Sequence, residues 1–307
     1  MSSVITSTPQ RTRTGDLRLH SATPSFWGIM RGEFFKVRNQ RATWIMAILL
    51  LGVIVLPYII SVSVPRFGND INIGAVRYIT QRAEALLTVF RAFSGIFLII
   101  LTARMIGLEY QLGTIRILLA RGVGRVQLLS AKLLTMAIIA VVMLIIGLAL
   151  NLIFMGFLVL VGTGSLNALT GMPSSFWYDM WLFTLTILLN MGVTILMAAT
   201  MAVLGRSQVF GLSAGLAFFP ADNLIPTFFF IANRITGNDF WLNATAYFLG
   251  PNLNVMPTVL IPNVSIALGA TPFVQVDFTH TLLVALVYAA IFALASFILT
   301  WRRDVKE

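Results

Sequence analysis

Six long stretches of this chain carry almost no charged side chains, and they limit what the chain can fold into. No charge occurs between Lys132 and Asp179, and the stretch 43–64 is uncharged as well. A helix needs about 20 mostly apolar residues to cross the hydrocarbon core of a bilayer. The sequence therefore predicts an all-α polytopic membrane protein with six transmembrane helices. The predicted spans are residues 43–64, 85–103, 133–161, 180–205, 208–232 and 281–301.

The fifth of these stretches differs from the others because Pro220, Asp222 and Pro226 interrupt it. Non-helical backbone at membrane depth occurs where it is buried in protein or lines a cavity. We therefore expect a helix to about Phe219, followed by a broken piece that re-enters the membrane or lies along its external surface. The region 234–280 is rich in Pro and Asn, which argues against a further full span.

The N-terminal part of the chain is polar and then amphipathic. Residues 1–23 are rich in Ser, Thr and Arg, and they contain no apolar run that would make a cleavable secretory signal. We expect a disordered cytoplasmic tail there, although an Arg- and Ser-rich start also resembles a transit peptide. Residues 42–307 then form the six-span transmembrane domain.

Residues 24–41 connect the tail to that domain. Apolar side chains at helical spacing form one face of this segment, and its basic residues lie off that face. Such a pattern is typical of a helix that lies in the membrane interface. The alternative is that the segment is the cytoplasmic end of the first span. The predicted apolar face consists of Phe26, Met30, Phe34 and Val37.

A dense polar segment separates the second and third spans, in a chain of which only 10% of the residues are charged. Glu109 lies near its start, where a carboxylate would suit a helix N-terminus, and Gly122 and Gly124 are typical of a helix end. An apolar stripe at helical spacing consists of Leu108, Leu112, Ile115 and Leu119. These features predict a short amphipathic helix at the membrane surface over about residues 109–119. On composition alone, an ordinary basic loop is the alternative.

The residues of this segment resemble the first cytoplasmic loop of type-2 ABC-transporter permeases, which are the membrane subunits of ATP-driven exporters. Within that family, the chain is most similar to the bacitracin- and lantibiotic-immunity-like group. An acid, a Gly-Thr pair, a Leu-Leu pair and two basic residues follow one another at matching spacing. The matching residues are Glu109, Gly113, Thr114, Leu118, Leu119, Arg125 and Lys132. The chain departs from the family at residues 122–124, where relatives commonly have a Pro before the Arg.

The resemblance implies a set of partners. Two six-span subunits would pair, as two copies of this chain or as this chain with a paralogue, and two copies of a separate ATPase subunit would dock beneath them. ATP and Mg would be bound by that partner, so we expect no cofactor in this chain. The predicted helix would couple the ATPase to the spans. The residues implied in this coupling are Glu109, Leu112, Gly113, Thr114, Ile115, Arg116, Arg121 and Arg125.

The resemblance also implies a function and a location. The chain would be a permease that forms the path for a hydrophobic or amphipathic substrate, such as an antibiotic, a peptide, a lipid or a drug. It would lie in the plasma (inner) membrane of a bacterium. The alternative from another class is a non-transporting membrane scaffold or sensor protein, which would need no ATPase partner.

Several kinds of chemistry have no residues in this sequence to support them. There is no cysteine, which excludes disulfides and cysteine metal sites. None of the three lysines stands in the Gly-x-x-x-x-Gly-Lys-Ser/Thr context of a P-loop. Motifs of the His-Glu-x-x-His and Gly-x-Ser-x-Gly types are missing too. We therefore expect no enzymatic activity, no catalytic residue and no metal site in this chain.

The distribution of basic residues predicts the orientation. If both termini are cytoplasmic, sixteen of the 21 Lys and Arg residues fall in cytoplasmic segments. The positive-inside rule favours this arrangement. It also explains the net charge of +10 by contacts with membrane lipid and a partner, since each basic residue near an anionic surface contributes about 1 kcal/mol. A nucleic-acid partner is therefore not expected.

One basic residue, Arg91, lies within a predicted span. It is the seventh residue of the second span, at a depth of about 10 Å. Its side chain could reach the outer interface, or the span could begin later and leave Arg91 outside. Alternatively, Arg91 lies on the inner wall, pairs with Asp222 and binds an anionic or polar part of the substrate near the exit. Arg91 and Asp222 are therefore candidate residues of the substrate path.

Overall fold

The computed structural model describes residues 24–64, 71, 73–262, 264 and 269–302, and these residues form helices and no strand. The predicted tail, residues 1–23, lies outside the described residues. In chain order, the helices are α1 (Phe26–Asn39), α2 (Arg41–Ser63), α3 (Ala75–Gln111), α4 (Thr114–Ala120), α5 (Arg125–Thr163), α6 (Asn167–Thr170), α7 (Ser174–Gly205), α8 (Gln208–Thr236), α9 (Phe240–Ala244), α10 (Leu249–Leu260) and α11 (Phe278–Arg302), with a 3-10 turn at Thr245–Tyr247.

Six of these helices are long and apolar enough to cross a membrane, namely α2, α3, α5, α7, α8 and α11. This finding confirms the prediction of an all-α polytopic membrane protein. Several helices are longer than the predicted spans because their polar flanks continue the helix. α3 has 37 residues, which corresponds to a length of about 55 Å, whereas a hydrocarbon core is about 30 Å thick.

The predicted break in the fifth span is wrong. α8 is one continuous helix from Gln208 to Thr236, and both Pro220 and Pro226 lie inside it. A proline removes one backbone hydrogen bond, but a membrane helix tolerates this loss where neighbouring helices hold it in place. α8 packs against both α3 and α7, and Pro226 is buried. Between α8 and α11 the described residues form only short helices, and no further full span is found there, as the Pro and Asn content predicted.

The bundle is built around α3 and α7, which pack against each other and are the most buried of the spanning helices. Phe90 and Leu98 of α3 and Phe183 and Ile187 of α7 are among the side chains at its centre. α2, α5, α8 and α11 surround this pair, and no more than 28% of the residues in the apolar part of each are buried, which leaves apolar surface on the outside. Such surface requires lipid or another protein chain around it.

The two ends of the bundle are different. One end carries α1, α4 and the tight turn between α7 and α8, and we call it the α4 end. The other end carries α9 and α10, and we call it the α10 end. α10 packs against α7, α8 and α11, so it closes part of the bundle at that end.

α1 forms where the sequence predicted an amphipathic helix. Ser25 caps it, since its hydroxyl accepts a hydrogen bond from the Gly28 amide at 3.1 Å. The predicted apolar face turns toward the protein, because Val37 is buried and Phe34 half-buried, and α1 packs along α5. The outward side carries Trp27 and Phe35, each 68% exposed.

Candidate functional site

Two helices share residues 109–119, where the sequence predicted a single helix. α3 continues to Gln111, and α4 begins at Thr114. Gly113 separates them with a φ of +68°, a left-handed conformation that glycine adopts at little cost. Glu109 therefore lies in the last turn of α3. The predicted location of Glu109 at a helix N-terminus is wrong, and at a C-terminus the helix dipole disfavours a carboxylate.

Two lysines compensate the charge of Glu109. The Lys36 ammonium lies 2.6 Å from Glu109 Oε1, and the Lys132 ammonium lies 3.0 Å from the same atom. Both lysines also contact Glu33, at 2.7 Å from Lys36 and 2.8 Å from Lys132. We call these four residues the charge cluster. They connect α1, α3 and α5 at the α4 end of the bundle.

The charge cluster is largely removed from solvent. The side chains of Glu33 and Lys132 are each 3% exposed, and that of Glu109 is 12% exposed. Lys132 also donates a hydrogen bond to the Met105 carbonyl at 3.1 Å. The two acids and two bases neutralise one another, so removing one partner would leave an uncompensated buried charge, which costs about 3–5 kcal/mol.

Lys36 is the most exposed member of the charge cluster. Burial lowers the pKa of Lys36, but hydrogen bonds and charges from Glu109 and Glu33 outweigh this effect and raise the pKa above 10.5. This pKa shift therefore stabilises the folded state fully at neutral pH. The stabilisation is lost only as the pH rises above 10.5, the ordinary pKa of a lysine.

α4 presents two different faces next to the charge cluster. Its inner face packs through Ile115 against Val123 and Leu128. Ile115 is only 7% exposed, so this predicted coupling residue belongs to the core and is not offered to a partner. The outer face begins at Leu112, which is 65% exposed, and continues through Ile117, which is 55% exposed.

The other predicted coupling residues surround this outer face. Arg116 and Arg121 are exposed. The Thr114 hydroxyl donates a hydrogen bond to the Glu109 carbonyl at 3.4 Å and so helps to hold the turn. Arg125 instead contacts the last spanning helix, since its guanidinium donates to the Trp301 carbonyl at 3.5 Å.

Two clefts open beside α4 next to the charge cluster, and Lys36 and Leu118 line both of them. One, of about 320 Å³, is bounded by Lys36, Glu109, Leu112 and Ile117. The other, of about 330 Å³, lies between α1 and the end of α4 and reaches Arg121. A second protein could therefore contact α4, α1 and the edge of the charge cluster together.

The candidate residues of the substrate path lie far from α4. Arg91 is 4% exposed and donates hydrogen bonds to the Leu253 carbonyl at 2.8 Å and to Asn254 Oδ1 at 3.4 Å. Asp222 accepts a hydrogen bond from the Gly250 amide. The predicted pair between Arg91 and Asp222 is therefore wrong, because α10 supplies a separate partner to each side chain. Arg91 does lie inside the bundle, so its side chain does not reach out to an interface.

Comparison with protein families identifies this architecture. Residues 29–221 match the family described as "ABC-2 family transporter protein", which covers more than half of the chain. The chain belongs to this family. It is accordingly a multi-pass membrane protein and the permease subunit of an ABC transporter, and ABC-2 membrane domains are generally non-catalytic. A comparison with curated proteins found no match.

The ABC-2 match covers the whole charge cluster and α4, and it ends just before Asp222. Glu33 and Lys36 are the members of this cluster that the sequence analysis did not identify as site residues. A usable signal existed: the chain has only three lysines, and Glu33 precedes one of them by a helical turn. The region of α9 and α10 lies outside the part of the chain that matches the ABC-2 family.

Proposed function

We propose that this ABC-2 permease is an exporter subunit that is driven by a separate ATPase docking on α4. The observation that supports this most directly is the arrangement of α4. Its exposed face carries large apolar side chains, and its buried face packs beside a charge cluster that joins three helices. We infer that two ATPase copies supply the ATP and Mg, and that a second permease, either identical or a paralogue, completes the path.

The exposed face of α4 has the composition of a docking surface. Leu112 and Ile117 stand among arginines at the end of the bundle, and neither is covered by another described part of the chain. Apolar side chains grouped on a polar surface mark sites of protein interaction. The flanking arginines would contact acidic or polar groups of the ATPase.

The charge cluster gives α4 a rigid connection to the spans. Glu109 is two residues from the end of α3, and α4 packs on Tyr110 of the same helix. Lys132 holds this end of α3 to α5, Glu33 holds α1 to α5, and Lys36 holds α1 to α3. Displacement of α4 would therefore move the ends of three helices together, and α3 carries the motion to Arg91.

The finer parts of the proposal follow from the apolar bundle and the charge distribution. The α4 end is cytoplasmic in this proposal, the membrane is the bacterial plasma (inner) membrane, and nucleic acid is not a partner. The substrate is hydrophobic or amphipathic, in keeping with antibiotics, peptides, lipids or drugs of the bacitracin- and lantibiotic-immunity-like group. A scaffold or sensor without an ATPase is the alternative that the experiment must exclude.

Copurification of the ATPase with the tagged permease tests this function. We expect Ile117→Asp to reduce the retained ATPase at least tenfold, because it inserts a charge into the apolar docking surface. Ile235→Asp is the matched control, since Ile235 is 79% exposed at the opposite end of the bundle. If no ATPase accompanies the wild-type chain, the scaffold or sensor is favoured. Full retention by Ile117→Asp would exclude α4 as the docking site.

A further inference from the structure

A half-open cavity of about 370 Å³ lies between α3, α7, α8 and α10, around Arg91. We propose that this cavity binds the anionic headgroup of an amphipathic molecule, with Arg91 and Asn190 as its polar ligands and an apolar tail along α3 and α8. This inference rests on the proposed function, because it names the chemical class that the substrate path accepts. A phosphate or a carboxylate would serve as the headgroup.

The first reason is the charge of Arg91. A guanidinium has five N–H donors, and among the described residues those of Arg91 contact only the Leu253 carbonyl and Asn254 Oδ1, both of which are neutral. No carboxylate of a described residue forms an ion pair with Arg91. Buried charges in proteins are normally paired, so an unpaired guanidinium in a cavity wall is suited to receive an anion.

The second reason is Asn190, which comes from a different helix. Its side chain lies in the cavity wall and forms no hydrogen bond with any described residue, although the residue is only 8% exposed. The amide is not among the fully enclosed side-chain groups without a partner, so it remains accessible to a ligand from the cavity. Gly95 faces Asn190 across the cavity, and a Cβ there would lie 3.8 Å from Asn190 Nδ2. Glycine at this position therefore leaves space beside the amide.

Two further asparagines position Arg91. Asn254 accepts its hydrogen bond from the guanidinium while its own amide donates to Asn223 Oδ1 at 2.7 Å and to the Ala270 carbonyl at 2.9 Å. These contacts fix the orientation of the Asn254 side chain. Asn223 and Asn254 are therefore positioning residues for Arg91.

The rest of the cavity wall is apolar and fits a hydrocarbon tail. Ile96 of α3 and Leu216 of α8 lie on its open side, where they are 40% and 36% exposed, and Phe219 lines it further along α8. The volume lies within the range of about 300–1,000 Å³ that is usual for small-molecule sites. The cavity accommodates a headgroup and the first part of a hydrocarbon tail, and the rest of the tail would extend through the open side.

The depth of the cavity agrees with a place on the substrate path. Arg104, thirteen residues after Arg91 on α3, donates a hydrogen bond to Gln40 beside the start of α2. Arg91 is therefore about 20 Å from that level, at 1.5 Å per residue. In a hydrocarbon core about 30 Å thick, this distance places the cavity in the half nearer the α10 end.

Binding of a fluorescent lysophosphatidic acid to the purified full-length permease in detergent tests the site. We expect Arg91→Gln and Asn190→Leu each to raise the Kd at least tenfold. Arg91→Lys should raise it less, because lysine keeps a point charge. Arg77→Gln is the matched control, since Arg77 is an exposed arginine of the same helix. A monoacylglycerol of equal chain length, which lacks the anionic group, should bind weakly and equally to all variants.

A variant that leaves Arg91 in place guards against misfolding of Arg91→Gln. Gly95→Leu should fill the cavity and abolish binding, whereas Gly95→Ala, which makes only ordinary contacts, should retain it. Wild-type affinity in Arg91→Gln or in Gly95→Leu would overturn the proposal, as would equal binding of the uncharged probe.

The same preparation identifies the source of the amphipathic anion. If ATP added with the ATPase subunit releases the probe, the anion behaves as substrate. If the probe stays bound, and a lipid that accompanies the wild type is missing from Arg91→Gln, the anion is a resident membrane lipid. Both outcomes support the site. Because binding needs no ATPase, its failure leaves the proposed function untouched, and the copurification result does not decide the binding result.

Discussion

Among the described residues, the buried charges of this molecule are compensated in different ways, and the charge cluster and Arg91 show the contrast. In the charge cluster, each carboxylate meets both lysines, so burial is tolerated by mutual neutralisation. Arg91 has only neutral oxygens as partners within the described part of the chain. The first arrangement is suited to holding helices together, and the second to receiving a ligand.

Breaking the charge cluster should destabilise the permease strongly. Lys132→Met leaves Lys36 as the one base of the charge cluster for Glu33 and Glu109. We expect the free energy of unfolding to fall by about 3–5 kcal/mol, which would be measured as a lower melting temperature in detergent. The double variant Glu33→Gln/Lys132→Met removes one acid with the base and should recover much of this loss. Lys36→Met should cost less, because Lys36 is 44% exposed. A wild-type melting temperature for Lys132→Met would contradict the structural role of the cluster.

Sequence reasoning recovered these residues only in part. Glu109 and Lys132 were found by their spacing in a family motif, yet that spacing gave no reason to pair them. Glu33 was missed because an acid one turn before a lysine looks like an ordinary solvated helix surface. Its contact with Lys132 joins residues 99 positions apart, and only packing of α1 on α5 creates it.

At the scale of helices, the conformation of one glycine decides where α3 ends and α4 begins. The sequence predicted one amphipathic helix over residues 109–119, because the apolar spacing continues across Gly113. The left-handed φ of Gly113 divides this stretch and changes the direction of the chain. Periodicity alone does not reveal such a turn, since glycine fits a helix interior as well as a helix end.

Substitution of Gly113 tests this turn without steric interference. A Cβ at Gly113 would meet no atom within 4 Å, so any effect arises from the backbone conformation. Gly113→Leu should lower the free energy of unfolding by about 1–2 kcal/mol and misalign α4. Gly113→Asn should be tolerated, because asparagine adopts the left-handed region more readily. The measurement is the amount of ATPase that copurifies with each variant, and equal retention by both would show that the turn does not position the docking surface.

The contact between α3 and the start of α8 makes a second element-level prediction. A Cβ at Gly107 would lie 2.6 Å from backbone atoms of Gln208, whereas one at Gly192 would meet nothing within 4 Å. We expect Gly107→Ala to lower the melting temperature by an amount corresponding to about 1–3 kcal/mol. Gly192→Ala, the matched control, should be neutral or stabilising by up to about 1 kcal/mol. Equal melting temperatures for the two variants would mean that α8 can move away from α3.

At the scale of the whole molecule, the sequence predicted the class and the number of spans well, because long apolar helices follow directly from hydropathy. It failed at α8, where Pro220 and Pro226 suggested a break that packing against α3 and α7 prevents. It also did not place α10, a short helix that contains proline and asparagine residues of a region predicted to be irregular, and that buries itself against three others. Arg91 was a candidate from the sequence, but the cavity around it depends on α10, so Asn190 and Asn254 were not identified.

Orientation is the property of the whole molecule on which the proposed function depends, and single cysteines test it cleanly because the native chain has none. Ser174→Cys, at the start of α7, and Asn238→Cys, between α8 and α9, replace exposed residues at the external end in our proposal. Ala120→Cys replaces an exposed residue of α4 at the cytoplasmic end. An impermeant maleimide added to intact cells should label positions 174 and 238 and spare position 120 until the cells are permeabilised. The reverse pattern would place α4 outside the cell, where no ATP-driven subunit could dock, and would exclude the proposed coupling.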